Sequence, residues 1–237
     1  MNDKYSDFYK IYFGQKVSSL CLKDFRKSQY SFELESILKE YDLNQVVVLD
    51  QIHTDVGLCI DASNPWKKSS LLEHQGDFLI TNQKGIGLIV LTADCVPLIL
   101  VDSERQVVAI VHAGWKGSFL GVLEKTLEAM HLKYQSDYSN IQAVFGPSAL
   151  GCCYEVSQDF VEKFENKFGK IDAFLQQGSL SYFNNNQFLQ KILKKYGILE
   201  HNINIENSFC TICNLQYCSF RREGEQARRQ ITMVALR

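Results

Sequence analysis

Five histidines and eight cysteines are the residues of this 237-residue chain best suited to nucleophilic or metal chemistry. His53 and His112 each follow a strongly apolar run, QVVVLDQI (45–52) and VVAIV (107–111). Cys95 lies between two more, GLIVLTA (87–93) and VPLILVD (96–102), beside Asp94 and before Pro97. Strand ends that face a crevice are where α/β proteins tend to place functional groups, so His53, Cys95 and His112 can converge in space. One thiolate and two imidazoles make a borderline-soft donor set suited to zinc, and three protein ligands leave a fourth position for water or substrate. The spacing is not a compact metal motif. Two core histidines and a buried cysteine remain the alternative.

Other groups invite chemistry less directly. CTICNLQYC places Cys210, Cys213 and Cys218 close in sequence, but a second C-x-x-C is missing. Without a fourth ligand these three are expected to be small buried hydrophobes that bind no metal. In HAGWKGSF, Gly114 and Gly117 free the backbone ahead of a helix, so amides there, with Lys116 nearby, can hold an anion; an ordinary strand-to-helix turn is the alternative. CSFRREGEQARR gathers Arg221, Arg222, Arg228 and Arg229, suited to phosphate or carboxylate or simply solvated. Asp77 and Asp94 can orient ligands, move protons or cap turns.

The elements that must position these residues read as a mixed α and β domain. Runs as apolar as 87–93, 96–102 and 107–113 suggest strands covered on both faces. Further strands are expected at 45–52, 77–82, 141–147, 203–207 and 230–236, with short strands and a loop over residues 1–29. Helices are expected at 31–41, 156–168 and 184–196, and an amphipathic helix at 119–130 with Ser118 as N-cap. No repeat or linker divides the chain, so residues 1–237 form one domain.

Composition is ordinary, 46% apolar and 22% charged, with net charge −2 and pI about 6.2. That balance supports neither a nucleic-acid nor a membrane-surface partner, because both need a basic face. The start, MNDKYSDFYKIYFG, lacks the basic and apolar regions of a signal peptide. The adjacent Cys152 and Cys153 favour reduced thiols and a cytoplasmic location.

The ordered segments DQIHT, GDFLITN, LTADCVPLILVD, IVHAGWKG, FGPSALGCCYEV and FCTICNLQYCSFRREG resemble the YfiH/DUF152 family, also called the laccase-domain or multicopper polyphenol oxidase family. The resemblance covers about residues 45–237. About the first 45 residues diverge: YFGQKVSSLCLKDF stands where the family carries R-x-G-G-V-S and S-L-N-L-G segments, and QIHT replaces Q-V-H-G. The resemblance implies an α+β fold of layered mixed sheets flanked by helices, similar to the catalytic domain of deamidating toxins. It also implies a zinc site built from His53, Cys95 and His112, with Cys95 and His112 catalytic. The implied activity is that of a purine nucleoside phosphorylase acting on adenosine, inosine and methylthioadenosine, with adenosine deamination beside it. The partners are then a purine nucleoside and phosphate, with Asp77, Lys116, Arg221 and Arg222 as substrate contacts. A cytosolic amidase editing UDP-MurNAc precursors and an inactive interaction domain are the other readings, and a homodimer is compatible with all of them. Copper fits less well than zinc, because a multicopper oxidase needs many histidines, commonly as H-x-H pairs, and this chain has five and no such pair. The H-x-E…P-C-x-x-C signature of zinc nucleoside deaminases is missing too.

Overall fold

Strands that are apolar on both faces need a cover on each side, and the chain supplies one with a second sheet and the other with helices. A computed structural model describes residues 8–21, 32–66 and 72–237. The first half contains β1 (Tyr9–Phe13), α1 (Phe32–Glu40), β2 (Gln45–Val48), β3 (Gly57–Ile60), β4 (Phe78–Thr81), β5 (Ile86–Thr92), β6 (Val96–Asp102), β7 (Val107–Ala113), α2 (Trp115–Leu120) and α3 (Val122–Tyr134). The second half contains β8 (Gln142–Phe145), β9 (Glu155–Val156), α4 (Gln158–Phe168), β10 (Phe174–Gln177), β11 (Leu180–Phe183), α5 (Asn185–Lys195), β12 (Ile203–Asn204), α6 (Phe220–Glu223) and β13 (Gln230–Leu236).

A four-stranded sheet runs β1-β13-β5-β2 and a six-stranded sheet runs β12-β8-β6-β7-β4-β3. Both are mixed: β2 pairs with β5 in parallel, while β5 pairs with β13 and β6 with β7 antiparallel. The period of two along β7 sorts its side chains. Val108 and Ile110 join Leu88, Val90 and Val234 of the other sheet in one buried cluster. Val107, Ala109 and Val111 join Leu123 and Leu127 of α3 and Leu189 and Leu193 of α5 in another. On the outer face of the four-stranded sheet, Ile89, Ile231 and Met233 pack against Leu34 and Ile37 of α1. The result is the expected layered α+β architecture, with two sheets face to face between helices. Each fully buried Val, Leu or Ile contributes roughly 1.5–3 kcal/mol, so the inter-sheet layer sets the register of β7 and thereby the face on which His112 emerges.

One helix expectation is corrected. The single helix over 119–130 is replaced by α2 and α3, separated at Gly121, whose φ of 105° lies in the left-handed region. Gly114, not Ser118, is the N-cap of α2. Ser118 lies inside the helix, fully buried, with its N–H donating to the Gly114 carbonyl. The expected N-terminal strands are represented by β1; residues 1–7 and 22–29 of that expectation, and residue 31 of the first helix, lie outside the described residues. Among the described residues no helix is long and apolar enough to cross a membrane.

Candidate metal centre and active-site pocket

Three strand ends converge at one rim of the sheet pair. The end of β2 is fastened to β5 by Gln51, whose amide donates to the Leu91 carbonyl (2.9 Å) and accepts from the Leu91 N–H (2.8 Å). His53 follows two residues later with φ 62°. Cys95 occupies the turn where the chain passes from β5 in one sheet to β6 in the other. The turn bends at Asp94, φ 88°. The Asp94 carboxylate accepts from the Thr211 hydroxyl (2.7 Å) and the Arg221 N–H (2.6 Å), so the C-terminal segment holds it in place. Non-glycine residues at positive φ are uncommon and concentrate at functional sites; here two of them bracket the same centre. His112 is the last residue but one of β7, opposite Pro97 of β6.

The ligand atoms of His53, Cys95 and His112 lie within 4.8 Å of one another. Cys95 Sγ is 3.7 Å from His53 Nε2, and the two imidazole rings meet edge to face at 4.8 Å. Asp77 stands behind His112, its Oδ1 2.8 Å from His112 Nδ1. Its Oδ2 accepts from the Thr54 N–H (2.6 Å) and hydroxyl (2.9 Å). Asp77 therefore ties the His53–Thr54 loop to His112 and, by taking Nδ1, turns His112 Nε2 toward Cys95, the carboxylate–histidine arrangement found behind metal-ligating imidazoles. Gly114 completes the cradle: a Cβ there would meet His53 Cδ2 at 2.8 Å and Cys95 Sγ at 2.9 Å.

With no metal bound, the charges read as a thiolate–imidazolium pair, and ligation through His112 Nε2 would release that nitrogen's proton. Burial opposes ionisation of Cys95, but the His112 imidazolium, with hydrogen bonds from His112 and His53, outweighs it and lowers the thiol to about 6. Burial also opposes the His112 charge, and the Cys95 thiolate and Asp77 together raise that imidazole to about 9. Once that proton has left, a thiolate and two imidazoles with donor atoms within 4.8 Å of one another fit a divalent metal.

The centre opens into a pocket of about 470 Å³, inside the roughly 300–1,000 Å³ usual for small-molecule sites. Lys116, Arg221 and Arg229 bring positive charge to its wall, and Trp115, Tyr154 and Phe220 bring aromatic surface. The Arg221 guanidinium lies 4.8 Å over the Tyr154 ring and donates to the Glu155 carbonyl (2.9 Å). Burial, then the nearby Cys95, push the Tyr154 phenol up to about 12.

Of the residues expected to touch substrate, Lys116 and Arg221 line the pocket, whereas Asp77 and Arg222 are placed elsewhere. Asp77 is buried behind His112. Arg222 donates to the carbonyls of Thr211, Ile212 and Tyr217 and to Glu223, which braces the loop from within. Tyr154, Trp115, Phe220 and Thr211 were not singled out by spacing. No periodicity marks them, and only the CCYEV and SFRREG segments hinted at their neighbourhood.

Of the C-terminal cysteines, Cys210 and Cys218 are buried as expected, whereas Cys213 is exposed. Cys218 is buried apart, beside Ala93 and Ala227. Cys210 and Cys213 instead meet Cys152 and Cys153, so the missing partners come from a loop nearly sixty residues earlier in the chain.

Comparison with known proteins places these features in context. Residues 31–237 match the family model described as multi-copper polyphenol oxidoreductase laccase. A purine nucleoside phosphorylase of Borreliella burgdorferi is 31% identical over 224 residues, 93% of this chain and 90% of that protein. Adenosine deaminase RL5, from an unknown prokaryotic organism, is 31% identical over 201 residues, 81% of this chain and 76% of its own length. The crystal structure of the Bacillus licheniformis hypothetical protein YfiH superposes with a TM-score of 0.77 at 25% identity, covering 86% of this chain and 80% of that one.

Proposed function

The chain belongs to the multi-copper polyphenol oxidoreductase laccase family, of YfiH/DUF152 type, and on that premise we propose that it is a zinc-dependent purine nucleoside phosphorylase acting on adenosine, inosine and methylthioadenosine, with adenosine deamination as a side activity. The observation that carries this reading is the juxtaposition of an open three-donor centre, His53, Cys95 and His112, with a pocket bearing Lys116, Arg221 and Arg229. Relatives named purine nucleoside phosphorylase and adenosine deaminase support the same reaction class. Polyphenol oxidation is disfavoured by the donor inventory, since only two of the five histidines stand at the centre.

Phosphorolysis needs a phosphate oxygen beside ribose C1′, a held purine, and a proton or hydrogen bond for the departing base. Lys116 and Arg221 are the cations that would meet phosphate, Arg as a planar fork and Lys as a point charge. Phe220 and Trp115 offer faces to the purine. Tyr154 stays protonated at neutral pH, so it serves as a hydrogen-bond donor rather than a base. Asp77 and Thr54 act on the ligands and not on the substrate; they fix the orientation of His112 and of the His53 loop. Bound by His53, Cys95 and His112, zinc supplies a Lewis acid at the pocket floor.

One observation favours a second reading. Cys95, His112 and Asp77 also form a thiolate–imidazole–carboxylate series, the constellation of a cysteine amidase, and this suits removal of a wrong amino acid from a UDP-MurNAc precursor. His53 separates the two. In the zinc reading, His53→Ala loses both the metal equivalent and inosine turnover. In the amidase reading, the same variant keeps hydrolysis of UDP-MurNAc-L-Ser, because Cys95, His112 and Asp77 are intact. Elemental analysis and product chromatography on wild type and His53→Ala decide between them.

A further inference from the structure

A second group of metal-binding side chains lies outside the pocket. The sulfurs of Cys152, Cys153, Cys210 and Cys213 all fall within 4.8 Å of one another. Four sulfurs around one zinc at about 2.3 Å stand roughly 3.8 Å apart at tetrahedral angles, so a small contraction of this cluster closes the coordination sphere. The scaffold is already built. Cys210 is buried and accepts backbone N–H bonds from Cys213, Leu150 and Ile212, which hold the C-x-x-C turn around its sulfur. Ser148 pairs with Cys210 in a parallel bridge, its N–H donating to the Phe209 carbonyl (3.0 Å) and its carbonyl accepting from the Thr211 N–H (3.0 Å). The buried Asn186 spans both loops, accepting from the Ser148 hydroxyl (2.9 Å) and donating to that of Ser208 (2.6 Å). An iron–sulfur cluster would place its own atoms between these sulfurs and spread them further.

We infer that Cys152, Cys153, Cys210 and Cys213 form a structural four-thiolate zinc site that joins the 148–154 loop to the 208–214 loop. Four protein ligands leave no open position, which makes the site structural rather than catalytic. Its placement gives it a task. Tyr154, next to Cys153, lines the pocket, and Thr211, next to Cys210, holds the Asp94 carboxylate that shapes the Cys95 turn. One ion would therefore fasten two walls of the active-site pocket without touching substrate. This inference does not rest on the proposed activity.

The test is metal stoichiometry in the 237-residue chain purified from zinc-supplemented cells. Wild type should carry two zinc equivalents per chain, and Cys95→Ser should keep one. Cobalt substituted into Cys95→Ser protein should show the intense thiolate-to-cobalt charge-transfer bands of a four-sulfur tetrahedral site. Cys213→Ser, at an exposed ligand, should lose those bands in the Cys95→Ser background, and Cys213→His should restore metal binding with a weaker band. The Cys95→Ser arm leaves all four thiols intact, so it decides the matter even where a cysteine variant fails to fold. Zinc-free Cys95→Ser protein, or intact masses lower by two hydrogens per Cys152–Cys153 or Cys210–Cys213 bridge, would overturn the inference.

Discussion

At the scale of single residues, the centre depends on groups that never meet the pocket. Asp77 fixes which nitrogen of His112 faces Cys95 and, through Thr54, the loop that presents His53. Replacing the carboxylate by an amide keeps the shape and removes the charge. Asp77→Asn should weaken zinc binding about 10–100-fold, the usual consequence of losing such a partner, in a chelator competition titration. An unchanged dissociation constant would show that Asp77 is structural only. Gly114 acts by absence. A methyl group there would press on His53 and Cys95 at under 3 Å, and because these are ligand atoms the neighbours cannot yield without moving the centre. Gly114→Ala should therefore retain its circular dichroism and lose one zinc equivalent; full occupancy would contradict the cradle.

At the scale of elements, the sequence was most legible where physics is local. The runs ending in His112 and flanking Cys95 announce β5, β6 and β7 because strands covered on both faces have no polar side to disguise them. The joining of those ends was legible only as a conjecture, since nothing in the spacing shows that β5 and β6 belong to different sheets. β10 was missed because its Leu-Gln-Gln stretch is largely exposed and carries no apolar period. The split between α2 and α3 was missed because Gly121 within an apolar helical pattern reads as tolerable until its φ is known. The four-cysteine cluster was missed for the same kind of reason: the pairing of residues 148 and 210 is a tertiary event.

Electrostatics at this scale also make a prediction. Asp61, at the end of β3, holds Lys133 of α3 at 2.8 Å. That hydrogen bond first, and Ser63 second, keep its carboxyl well below the usual carboxylate range. The folded value lies below the unfolded one, so the stabilisation is fully present above about pH 4 and is lost as pH falls through the folded value. Asp61→Asn should lower Tm by a few degrees at most at pH 7, since Lys133 is partly exposed and such pairs contribute about 1 kcal/mol or less. The gap from wild type should narrow in scans toward pH 2. A gap that widens on acidification would reverse the sign of the assignment.

At the scale of the whole molecule, the architecture explains why one thiol and two imidazoles can sit together on rigid supports. Two sheets packed face to face bring strand ends of both to one rim. The chain crosses between them at Cys95, and the C-terminal segment returns to close the pocket with Arg221 and Phe220. The cations, aromatics and metal donors that line this one pocket support the proposed phosphate-dependent cleavage of a nucleoside. The most direct test is product identity when the zinc-loaded protein is given inosine with and without inorganic phosphate. The account predicts hypoxanthine and ribose 1-phosphate with phosphate present, little turnover without it, and loss of both products in His112→Ala. Free ribose released at the same rate whether or not phosphate is added would contradict it.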